Sequence, residues 1–80
     1  MDLSRHLGAA VREHRMLIRL SQEELADRAG KDRTYISGIE RGRRNPSLDV
    51  LQSIADALGV GLDVLFGTAR RIGLRQERDE

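Results

Sequence analysis

The sequence predicts a small all-α domain of five short helices. Three observations carry that reading. Apolar residues recur at helical spacing in segment after segment. Serine or aspartate stands in front of several of those segments and glycine behind them. No segment reads as a strand: the one β-branched cluster, "VGLDV", contains a glycine and is too short. At 80 residues the chain is one domain, near the lower end of what folds without covalent staples.

Taken in order, "LSRHLGAAVREHRML" places Leu3, Leu7, Ala10, Val11 and Leu17 on one face of a first helix, about residues 3 to 17. "SQEELADRAG" has the best start signal. Ser21 with Glu24 three residues on is a capping box, Leu25, Ala26 and Ala29 form the inner face, and Gly30 stands where a helix would close. Asp32 caps a third helix, about 33 to 41, with Ile36 and Ile39 inward and Gly42 as its stop. Ser47 caps a fourth, about 48 to 58, with Leu48, Leu51, Ile54, Ala55 and Leu58 buried and Gly59 closing it. "GLDVLF" predicts a short fifth helix, about 62 to 66. The domain is expected over residues 1–67, followed at 68–80 by a polar, flexible tail with nothing to pack against.

Composition excludes several classes. There is no cysteine, hence no disulfide framework and no thiolate metal site, and a reducing cytoplasm is the expected location. The longest apolar runs fall far short of the roughly 20 residues that span a bilayer. The amino-terminal stretch has scattered charge and no apolar core, unlike a signal peptide. His6 and His14 sit two helical turns apart with no third ligand near, so they are expected at the surface with no metal. No nucleophile–base pair, metal cluster or phosphate loop is evident, which argues against an enzyme, and no cofactor is expected. A single tyrosine is too few aromatics for an RNA-stacking platform.

The formal net charge of +1 hides an uneven distribution. Arg28, Lys31, Arg33, Arg41, Arg43 and Arg44 face only Asp32 and Glu40 between residues 28 and 44. Inside that stretch only "GKD" separates the second and third helices, the spacing of a helix-turn-helix. With Ile36 and Ile39 inward, Arg33, Thr34, Ser37 and Gly38 point outward or obliquely. Short polar side chains and one arginine let such a helix sit deep in a DNA major groove, where arginine reads guanine and Ser or Thr serves several base edges. Gly38 costs the helix about 1 kcal/mol relative to alanine. It either lets the backbone approach DNA closely or lets a neighbouring helix pack closely.

"LSQEELADRAGKDRTYISGIERGRRNPSLDVLQSIADALGVGLDVLF" resembles the Cro and phage-repressor type of helix-turn-helix domain, and "DRTYISGIERGRRN" resembles the recognition segment of controller proteins from restriction–modification systems. The resemblance implies a five-helix, lambda-repressor-like fold that binds double-stranded DNA. Gln22 matches a glutamine that grips a DNA phosphate and supports the recognition helix. Arg33 and Thr34 match base-reading positions, and Tyr35 matches a tyrosine that approaches the centre of the site as DNA bends. Ser37 is expected on a base or a phosphate. Arg43, Arg44 and Asn45 are expected along the DNA backbone, with Arg44 also able to reach a base. Arg15 and Glu40 match a structural ion pair. Glu23 and Asp27 resemble an activating patch that touches RNA polymerase, or else they only complement the helix dipole.

One module of this size makes few contacts, so a homodimer on a two-fold symmetric operator is expected, its recognition helices about 34 Å apart. The expected interface is Leu62, Val64, Leu65 and Phe66, with Phe66 either a core plug or an interface anchor. The chain has no room for an effector-binding domain, so regulation would follow protein concentration. Controller proteins of this kind activate at low concentration and repress at high. An antitoxin-like adaptor that binds a partner protein as well as DNA is the alternative, and the tail after Gly67 would distinguish it.

Overall fold

The computed structural model describes residues 2–79, leaving Met1 and Glu80 outside the described residues. Its elements are α1 (Leu3–Leu17), α2 (Gln22–Ala29), α3 (Arg33–Glu40), α4 (Leu48–Leu58) and α5 (Leu62–Asp79). No described residue lies in a strand.

The helix boundaries follow local chemistry. The Asp2 carboxylate accepts the Arg5 amide at 3.1 Å and starts α1. Ser21 and Glu24 complete both halves of the capping box on α2, each bond 3.0 Å. Asp32 accepts the Thr34 amide at 3.0 Å, and Ser47 accepts the Val50 amide at 3.2 Å. Each of the first four helices closes through a residue in the left-handed region. Three of these are glycines, Gly30, Gly42 and Gly59, and the fourth is Arg19 at φ 57°.

The core is built from Val11, Leu25, Ile36, Ile39, Ile54 and Leu65, all fully buried. Each such side chain contributes about 2 kcal/mol of transfer free energy. Helix α1 packs against both α3 and α5. Its contact with α3 is as close as backbones allow: a Cβ on Gly8 would stand 2.0 Å from the Ile39 carbonyl oxygen. This close approach ties the end of α3 directly to α1.

The structure departs from the sequence-based expectation chiefly at α5. The helix does not stop near residue 66 but continues for 18 residues to Asp79. Leu65, Ala69 and Ile72 recur at helical spacing toward the core, and Ala69 is 1% exposed. Polar residues of the same helix have partners on α1. His6 and Gln76 meet at 3.0 Å, His14 and Thr68 at 2.7 Å, and Arg71 pairs with Glu13. Residues 68–79 are therefore a docked helix, and a flexible tail is not what the described residues form. The histidines are corrected by the same fact. His6 is buried and His14 half-buried, because α5 covers the face expected to meet solvent. Leu48, expected inside, is 66% exposed as the first residue of α4.

Candidate nucleic-acid interface

Two faces of α3 have opposite fates. Ile36 and Ile39 are sealed in the core, whereas Arg33 and Thr34 are exposed and Tyr35, Ser37 and Gly38 half-buried. The chain then reverses at Gly42, whose φ of 73° and close approach to the Arg5 backbone both favour glycine. The Arg43 amide donates to the Gly38 carbonyl at 2.9 Å, which folds residues 43–45 back beside the helix. Arg41, Arg43, Arg44 and Asn45 are exposed there, and the Asn45 side chain faces the Ser4 hydroxyl of α1 at 3.5 Å. Among the described residues, Arg33, Arg41, Arg43 and Arg44 make no ion pair, so their charge is available to an external anion.

Behind this surface lies a satisfied polar network. The Arg15 Nε donates to Glu40 Oε2 at 2.7 Å and its Nη2 to Oε1 at 2.9 Å, while Nη1 donates to the Leu20 carbonyl at 2.8 Å. Gln22 Nε2 adds a third donor to the carboxylate at 3.1 Å. The two charged side chains are 11% and 4% exposed, a two-pronged ion pair largely out of water. The Glu40 hydrogen bond raises the Arg15 pKa above its already high ordinary value, against the opposing effect of burial. The network joins α1, the start of α2 and the end of α3, fixing how the outward face of α3 is presented. Gln22 thus has one amide hydrogen turned inward to Glu40.

The remaining expected residues are more dispersed. Glu23 and Asp27 are exposed one turn apart on α2, away from the Arg15–Glu40 pair. Of the four expected interface residues, Leu65 is 0% exposed and belongs to the core of its own chain, so it presents nothing to a partner. Leu62 and Phe66 are partly buried against that core, and Val64 is 45% exposed. The group nearest the bare backbone of Gly38 is the side chain of Arg44.

Arg12 and Arg41 were not among the expected site residues. They rim a polar cleft of about 310 Å³ whose other walls are Arg15, Gln22 and Glu40. Arg41 was visible in the basic run, but nothing in the spacing of α1 connects Arg12 to it. Among the described residues, no group of three His, Cys, Asp or Glu could hold a metal, and no single helix is long and apolar enough to cross a membrane.

Residues 11–65 match the helix-turn-helix family. The chain belongs to that family of transcriptional regulators. An HTH-type transcriptional regulator of Mycobacterium tuberculosis is 44% identical over 59 residues, which are 74% of this chain and 42% of that protein. The chain thus spans less than half the length of that relative. The control protein C.SmaI of Serratia marcescens is 40% identical over 78 residues, covering 98% of this chain and 89% of its own. The solved structure of the restriction–modification controller protein C.AhdI from Aeromonas hydrophila superposes with a TM-score of 0.76 at 44% identity. It covers 80% of this chain and 96% of that one. The family fold is a DNA-binding one, and the chain is related within it to restriction–modification controllers.

Proposed function

We propose that the chain is a sequence-specific regulator that binds double-stranded DNA in the cytoplasm as a homodimer on a two-fold symmetric operator, and that it controls a restriction–modification system. The observation that carries this reading is the unpaired arginine set, Arg33, Arg41, Arg43 and Arg44, grouped around the short polar side chains of an exposed helix face. Such a face enters a major groove without long side chains holding it off the floor. Arg33 and Thr34 read base edges, Ser37 a base or phosphate, and Tyr35 lies toward the centre of the site. Arg43, Arg44, Asn45 and the free hydrogen of Gln22 meet the DNA backbone, where each neutralised phosphate adds salt-dependent affinity. The names of C.SmaI and C.AhdI support the controller role.

A second copy of the chain would contact the start of α5, where Val64 is exposed beside the uncovered parts of Leu62 and Phe66. Glu23 and Asp27 stand clear of this surface and are the residues offered to RNA polymerase. No small-molecule effector enters the scheme; concentration and dimerisation set occupancy.

The test is selection of binding sites from random duplex DNA, followed by affinity measurements against salt and sedimentation of the complex. A two-fold symmetric motif with half-sites one helical turn apart, bound by two chains and weakening steeply with salt, is the expected result. Unselective binding, or one chain per site, contradicts it.

A further inference from the structure

Gly38 and Arg44 form an arrangement whose parts make sense only together. A Cβ on Gly38 would stand 2.7 Å from Arg44 Cγ and 3.4 Å from its Nε, so the arginine stem runs across the bare backbone of the helix. Beyond that point the Arg44 guanidinium lies over the Tyr35 ring, 5.3 Å from its centroid. Tyr35 and Gly38 are three residues apart and therefore neighbours on one side of α3. The reversal at Gly42 and the Arg43–Gly38 backbone bond bring residue 44 back alongside the helix. A free arginine side chain carries much rotamer entropy, and a planar cation on an aromatic face loses part of it in advance.

The geometry points to Gly38 as a positioning residue that acts through Arg44. Its missing side chain is the slot that seats the arginine stem, so that the guanidinium rests on Tyr35 at the edge of the recognition helix before DNA arrives. This rests on the DNA-binding reading above and changes what the glycine is for: it makes room for a side chain of its own chain, not for the duplex. The helix accepts an unfavourable residue at this position, and the return is a pre-set cation. That opposition of helix stability and recognition makes the inference testable, because an alanine ordinarily favours the helix.

The experiment uses the full chain with Gly38→Ala, Arg44→Ala and the double variant. In the free protein, proton NMR should show the Arg44 side-chain protons shifted upfield by the Tyr35 ring, and Gly38→Ala should abolish that shift while melting no lower than the parent. On the duplex recovered by selection, Gly38→Ala should bind about 5-fold more weakly, the scale of an exposed cation–π contact. Added to Arg44→Ala, it should cost nothing further. An equal loss in both backgrounds would mean that the glycine admits DNA directly, and would overturn the inference. So would Arg44 protons that are unshifted in the parent or unchanged in Gly38→Ala. If the parent binds no duplex, the DNA reading fails, while the ring-shift comparison still decides the seat.

Discussion

Two stretches of this chain look alike in composition and behave differently in the fold. Residues 32–45 contain four arginines, and so do residues 68–79: Arg70, Arg71, Arg75 and Arg78. In the second stretch the side facing α1 is filled. Ala69 and Ile72 meet the core, Thr68 and Gln76 find histidines, and Arg71 finds Glu13. Its remaining arginines stand on the back of a helix that is docked by its other side. In the first stretch the arginines are exposed beside Thr34 and Ser37 and make no ion pair among the described residues, while the acid nearby, Glu40, is already held by Arg15 and Gln22. Arginine content does not separate a docked segment from a binding surface. The presence of complementary groups on the facing element does.

The most damaging way to test the contrast is to end the chain after Gly67. Were residues 68–79 a loose tail, stability would not change. As a docked helix, their loss uncovers His6 on α1 and strips His14 and Glu13 of their partners. We expect a cost of about 4 kcal/mol, read as a large fall in urea midpoint. An unchanged midpoint would return the segment to the status of a tail.

The sequence exposed most of the fold and less of the site's wiring. Helix α1 was legible from its apolar spacing, and α2 to α4 because cap and stop residues bracket them: Ser21, Asp32 and Ser47 in front, Gly30, Gly42 and Gly59 behind. The second half of α5 was not, because the signals for burial there are small or polar. Ala69, Gln76 and Thr68 read as surface until the face of α1 that they meet is known, and the matching residues, His6 and His14, read as surface for the same reason. The outward face of α3 followed from the burial of Ile36 and Ile39. That Gln22 turns toward Glu40, or that Arg44 lies over Gly38, depends on loop geometry that spacing does not encode. Leu65 reads as an interface residue because a helix ending near residue 66 is too short to bury it, whereas the longer α5 carries it into the core.

Within the recognition region, the largest effect is expected from Glu40→Ala. It removes the carboxylate that three donors share and leaves the Arg15 guanidinium, 11% exposed, without its counter-charge. The expected cost is about 3 kcal/mol in denaturant unfolding. Simultaneous replacement of Arg15 and Glu40 by apolar residues should recover much of it. A loss under about 1 kcal/mol for the single change would mean that the pair does not tie α1 to α3 as described.

The exposed arginines should divide by role. Arg33→Ala should lower discrimination between the selected site and a site altered at one base step by about 2 kcal/mol. Arg43→Ala should weaken selected and random duplexes alike and flatten the dependence on salt. Neither should change the unfolding free energy by more than about 0.5 kcal/mol, since both side chains are exposed and unpaired. Equal losses on selected and random DNA for both variants would dissolve the distinction between base reader and phosphate clamp.

The smallest effect concerns the start of α2, which leads into α3. Bonds with Ser21, first from its backbone amide and then with its side chain, hold the Glu24 carboxyl below its ordinary pKa of 4.5. A lowered folded pKa means that the charged form contributes stability in full above the unfolded value. That contribution is lost as the pH falls through the folded value. Glu24→Gln keeps an acceptor for the Ser21 amide and cannot titrate, so the parent should exceed the variant in stability at neutral pH and lose that advantage in acid, below about pH 4.5. Glu24 is fully in solvent, so the difference will be small, and hydrogen exchange in the first turn of α2 is the better readout. Those amides should be better protected than in Glu24→Gln at neutral pH and lose that difference in acid, while the amides of residues 69–76 on α5 show no difference between the two proteins at either pH. A difference with no dependence on pH would show that the carboxylate charge contributes nothing to the cap.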